Sequence, residues 1–114
     1  MFNAKLIHMK YGLSDKNIDR IQQIFPLFPE VEAVILFGSR ARGHFHPGSD
    51  VDLALKGESI QLETLLRISR MLDDLMLPIQ FDILIYHHVS NPDLLSQIEE
   101  EGVSIYQKAS EPVS

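Results

Sequence analysis

The sequence predicts a small α/β or α+β fold, a mixed β-sheet flanked by helices, over 114 residues. Three observations carry that prediction. Short apolar runs at Val34–Phe37 and Ile79–Tyr86 are long enough for buried strands and too short for helices. Two longer stretches repeat apolar residues at helical spacing. Glycine and proline stand between these runs and separate them. The resulting order is helix, strand, strand, helix, strand, helix and a short closing strand. No internal repeat or linker interrupts it, so residues 1–114 read as one domain.

Residues 1–13 show no clear periodicity. Ser14 is the expected N-cap of a helix over 15–25, with Asp15 favoured by the helix dipole and Ile18, Ile21, Ile24 and Phe25 on one face. Pro26 and Pro29 stop it. Strands are expected at about 31–37 and 50–56, the second ended by Gly57. From Ser59 or Ile60 to Met76, Leu62, Leu65, Leu66, Ile68, Leu72 and Leu75 make an amphipathic helix. Pro78 opens a third strand over 79–86. Its alternation puts Phe81, Ile83 and Ile85 on one face and Gln80, Asp82 and Leu84 on the other. Asn91-Pro92-Asp93 starts a helix that Gly102 ends, Val103–Tyr106 form the last strand, and the tail frays from Lys108.

Composition narrows the function. With no cysteine there is neither a disulfide framework nor a thiolate zinc site, which fits a reducing compartment. No apolar run reaches membrane-spanning length, and the start MFNAKLIHMK lacks the core of a signal peptide. A cytoplasmic protein is expected. Ten basic against sixteen acidic residues give a net charge of −6, which argues against general nucleic-acid binding. The stretch from Gly38 to Ser49 runs the other way, carrying Arg40, Arg42, His44 and His46 and no acid.

That basic loop leads directly into Asp50-Val51-Asp52. In a strand, Asp50, Asp52 and Ala54 share one face, and Val51, Leu53 and Leu55 the other. Two carboxylates at roughly 4 Å repel by about 4 kcal/mol at an effective dielectric near 20. Aspartate is also a poor strand residue, so a bound cation is the simplest compensation. Asp82 lies inside an apolar strand, where an unpaired carboxylate is costly. It either completes a site for one or two hard divalent ions or forms a salt bridge with Arg40 or Arg42. Gly38-Ser39 at a strand's end suits close approach of backbone N–H groups to a phosphate, and is equally the composition of an ordinary turn. Arg40 and Arg42 are candidates to steady phosphates. Of the two, Arg40 is expected to face the ligand and Arg42 to brace the loop against an acid. His44 and His46 read as solvated loop residues, with metal ligation as the alternative. Glu99 to Glu101 read as a solvated helix end.

The combination of Gly38-Ser39, Asp50-x-Asp52 and a later-strand Asp82 resembles the signature of the DNA polymerase β-like nucleotidyltransferases. GSRARG, SDVDLAL and the closing NPDLLSQIEEEGVSIY are most similar to the minimal nucleotidyltransferases, the MNT family. The resemblance covers nearly the whole chain. It implies that Gly38 and Ser39 hold nucleotide phosphates and that Asp50 and Asp52 bind two Mg²⁺ ions with ATP as substrate. Mn²⁺ or Zn²⁺ can substitute at such an oxygen site. Asp82 would complete the metal site and help deprotonate an acceptor hydroxyl, to which AMP passes as pyrophosphate leaves. The implied partner is a small all-helical HEPN protein, often a toxin ribonuclease, with this chain as its antitoxin. Two other readings stay open: an antitoxin that blocks its partner by contact alone, and an enzyme for a small-molecule hydroxyl such as an aminoglycoside, with the acceptor pocket supplied by a partner chain.

Overall fold

A computed structural model describes residues 9–109. A four-stranded mixed sheet forms its centre, built of β3 (Ala33–Phe37), β4 (Val51–Lys56), β5 (Phe81–Ile85) and β6 (Val103–Gln107). Their order across the sheet is β5-β4-β3-β6. β3 pairs antiparallel with β4 and with β6, and β4 pairs parallel with β5. The parallel pair needs a crossover, which α3 (Leu62–Asp73) provides. A minor hairpin of β1 (Met9–Lys10) and β2 (Leu13–Ser14) precedes the sheet.

Alternation along the strands divides the interior in two. Val34, Leu36, Leu53, Leu55 and Ile85 face Ile21 of α1 (Asp15–Gln22) and Ile68 and Leu72 of α3. Each such fully buried side chain contributes about 1.5–3 kcal/mol relative to exposure. On the opposite face, Phe37 and Ala54 pack with Ile98 of α4 (Pro92–Glu101), and Ile35 and Leu84 join them. Asp52 is directly opposite Phe37, so the carboxylates share the α4 face.

Helix ends follow their capping chemistry. The Ser14 side chain accepts from the Asn17 backbone N–H, and the Asn91 side chain accepts from those of Asp93 and Leu94. The first helix is shorter than its periodicity predicts: it stops at Gln22, and Phe25–Leu27 form a separate 3₁₀ turn around Pro26. The third helix starts at Leu62 rather than 59 or 60, and Ile60 is buried ahead of it. β5 ends at Ile85, where a 3₁₀ turn over Tyr86–His88 takes over.

One stretch without periodicity proves to be structured, and one expectation is corrected. The stretch before Ser14 holds a hairpin turned by Tyr11 (φ 58°) and Gly12 (φ 75°), both left-handed as a two-residue hairpin loop requires. Lys108 is pinned rather than frayed: its backbone N–H donates to Glu32 O (2.8 Å) and its Nζ to Pro29 O (3.0 Å). The rest of the tail expectation, beyond 109, and the reading of residues 1–8 lie outside the described residues.

Candidate active site

β3 runs directly into Gly38, and Ser39–Arg42 then form the one-turn helix α2. Gly38 has φ 80° and ψ −155°, a conformation closed in practice to residues with a Cβ. A Cβ there would collide with Asp52 Oδ2 and lie 3.1 Å from Asp52 Cγ. The glycine is therefore where the turn's backbone meets the β4 carboxylate.

Asp52 and Asp82 are directly opposite each other in the parallel β4–β5 pair. Neighbouring strands lie about 4.8 Å apart, and paired residues point to the same face. Phe37, Asp52 and Asp82 thus lie in register across three strands, and Gly38, one residue past the end of β3, sits against Asp52. Asp50, exposed, ends the loop just before β4. The Asp52 carboxyl is pushed above its ordinary range, first by burial and then by the negative charges of Asp82 and Asp50, with Arg42 pulling the other way. Asp52 therefore feels the charge of both other carboxylates.

Among the described residues no three His, Asp or Glu side chains converge into a ready-made metal cage. The donor set still fits a hard divalent ion, because oxygen ligands are its preferred partners. A cation beside Asp52 would also offset the repulsion that raises its pKa.

Asp82 corrects one premise. It is exposed on an edge strand, not sealed in an apolar interior, and makes no ion pair with Arg40 or Arg42. Arg40, expected at the ligand, is 1 % exposed and engaged with backbone carbonyls. Arg42 is the outward arginine, and its Nε lies 3.6 Å from Glu101 Oε2 at the end of α4. With both side chains about 40 % exposed, that pair adds little stability. His44 and His46 are exposed.

Sequence reasoning missed several supporting residues. Tyr11 and Phe45 surround Arg40, and no motif pointed to them. Glu99 accepts a hydrogen bond from the Tyr86 hydroxyl, so the acidic helix end is partly engaged, and that contact pushes the phenol pKa up.

Two cavities stand out among the described residues. One, of about 540 Å³, opens beside Asp50 between Gly48 and the turn from Leu77 to Gln80. The other, of about 630 Å³, lies between Leu27–Glu30 and α3 and shares no residue with the carboxylate row. The first adjoins the candidate chemistry and the second does not.

Comparison with known proteins gives the same frame. The family described as Polymerase beta, Nucleotidyltransferase matches residues 19–111. A chain of a toxin–antitoxin structure with AMP-PNP is similar at TM-score 0.68 and 20% identity, over 81% of this chain and 74% of that one. A chain from the complex of tri-AMPylated Shewanella oneidensis HEPN toxin with MNT antitoxin gives TM-score 0.62 and 17% identity, over 82% and 71%. A structure described as a minimal nucleotidyltransferase gives TM-score 0.62 and 27% identity, over 84% of this chain and 96% of that one. No match is found among curated proteins. The family match spans the glycine turn, the basic loop and all three aspartates, and the chain belongs to the polymerase beta nucleotidyltransferase family.

Proposed function

We propose that this chain is an Mg²⁺-dependent nucleotidyltransferase that moves AMP from ATP to a hydroxyl of a small helical HEPN partner, as the antitoxin of a toxin–antitoxin pair. The observation that carries the reading is the glycine turn at Gly38 set directly against Asp52, which is itself in register with Asp82 on the neighbouring strand. Gly38 and Ser39 bring backbone N–H groups, and Ser39 its hydroxyl, to the triphosphate, while Arg42 offers an outward guanidinium. Asp50, Asp52 and Asp82 are the residues that would hold Mg²⁺. The metal, when bound, neutralises charge on the phosphates and lowers the pKa of an oxygen beside it.

In the transfer, the acceptor oxygen attacks the α-phosphorus, the bond from that phosphorus to the bridging oxygen breaks, and pyrophosphate leaves. Asp82 receives the acceptor's proton. It stands on the exposed edge strand, where an acceptor can reach it over the rim of the sheet. Two likenesses support the nucleotide and the partner: one related fold was solved with AMP-PNP, and another in complex with a tri-AMPylated HEPN toxin.

Intact-mass spectrometry of the HEPN partner tests the reading. After incubation with wild-type chain, Mg²⁺ and ATP, the partner should gain the mass of an adenylyl group (AMP less one water), and Asp50→Ala/Asp52→Ala should abolish the gain while the two proteins still associate. No gain with wild type, together with full inhibition of the partner by the double variant, would establish the contact-only antitoxin instead. AMP transfer to an aminoglycoside and not to the partner would favour the small-molecule enzyme.

A further inference from the structure

Arg40 is the only charged side chain that is fully buried among the described residues. Every acceptor it reaches is a backbone carbonyl. Its Nε and Nη2 donate to Ser49 O at 3.0 and 2.8 Å, Nη2 also to Pro47 O at 3.2 Å, and Nη1 to Tyr11 O at 2.9 Å. The Phe45 ring lies 5.2 Å from the guanidinium carbon. The loop after α2 therefore wraps around this cation, with the hairpin turn at Tyr11 closing the other side.

Such burial needs a reason. A guanidinium removed from water is costly even when hydrogen-bonded, and an apolar side chain of similar volume is often no worse for stability. Here no carboxylate pairs with it directly. What the charge obtains instead is backbone geometry: two of the three carbonyls belong to the residues leading into Asp50.

We propose that Arg40 is a positioning residue, whose guanidinium gathers the Pro47 and Ser49 carbonyls inward and so fixes Asp50 outward beside Asp52. This rests on the reading that Asp50 helps hold the nucleotide's metal. Arg40 itself touches neither nucleotide nor metal. The role is specific to arginine. A planar fork with five N–H donors can span three carbonyls from separate directions, whereas a lysine ammonium offers its three donors from a single nitrogen. Outer residues that orient metal ligands change metal affinity by about 10–100-fold when removed.

The test compares wild type with Arg40→Ala, Arg40→Lys and Ile68→Ala, the last a buried core change on α3 that removes none of the hydrogen bonds to the loop. Amide hydrogen exchange over residues 43–50 is measured without ligand, and Mn²⁺-ATP affinity by calorimetry. Both Arg40 variants should exchange severalfold faster in the loop and lose about 10–100-fold in Mn²⁺-ATP affinity. Ile68→Ala should lose thermal stability but change neither readout. If Arg40→Ala does not fold, Arg40→Lys carries the comparison. Loop exchange unchanged in the Arg40 variants, or raised as much by Ile68→Ala, overturns the proposal. So does wild-type affinity in Arg40→Lys. Wild type that binds no Mn²⁺-ATP overturns the nucleotidyltransferase reading first and this inference with it, and is recognisable because it appears before any substitution is made.

Discussion

Gly38→Ala isolates the contact on which the candidate site turns. Two effects follow from the geometry. The backbone at φ 80° and ψ −155° is strained for alanine, by about 1–3 kcal/mol. The new methyl group also meets the Asp52 carboxylate. That carboxylate is the free end of a short side chain, so it can turn aside, at about 0.5–1.5 kcal/mol for leaving its rotamer. The expected stability loss is then about 1.5–4.5 kcal/mol in all, read from urea denaturation in metal-free buffer. The turned carboxylate is a candidate ligand, so calorimetric titration should show Mn²⁺-ATP affinity falling by about tenfold or more. A double-variant cycle separates the two effects. On an Asp52→Ala background the collision is gone, and Gly38→Ala should cost only its backbone share of about 1–3 kcal/mol, leaving a coupling of about 0.5–1.5 kcal/mol. A loss below about 0.5 kcal/mol for Gly38→Ala, or unchanged Mn²⁺-ATP affinity, would refute the argument.

Two further outcomes are expected. Asp82→Asn should leave the melting temperature of metal-free protein unchanged or raised, because it removes a negative charge facing Asp52 and breaks no ion pair, while AMP transfer collapses; a large drop in melting temperature would count against this placement of Asp82. Glu30 gives a pH signature remote from the site: its own backbone hydrogen bond, then the Thr64 hydroxyl at 2.8 Å, hold its carboxyl below the ordinary 4.5. A depressed carboxyl contributes stability above that ordinary value and loses it as pH falls through the lower folded one. Thr64→Val should therefore cost at most about 1.5 kcal/mol at neutral pH for this part-exposed pair, and less in acid; an equal cost at both would contradict it.

The three longer helices and the four strands of the central sheet were legible in the sequence. Apolar spacing gave α1 and α3, because a helix buries one face at a period near 3.6, while α4 was marked by its Asn91-Pro92-Asp93 start and Gly102 stop. Alternation placed Asp52 opposite in facing to Leu53, because successive strand residues point to opposite faces. Gly38-Ser39 and the three aspartates were legible as a resemblance to the nucleotidyltransferase signature, whose residue types suit close backbone approach and oxygen ligation. Partners across the sheet were not legible. Only the parallel register of β4 and β5 put Asp82 beside Asp52, and only the strand order made β5 an edge, which turned an apparently sealed carboxylate into an exposed one. The arginines show the same limit most plainly. Arg40 and Arg42 stand two residues apart in one basic loop, with the same charge and nothing local to distinguish their partners. Their roles were decided by what the folded chain brings around them: the carbonyls of Tyr11, Pro47 and Ser49 enclose one, and solvent and Glu101 meet the other. Hydrogen-bond partners distant in sequence are fixed by packing, and no local period encodes them.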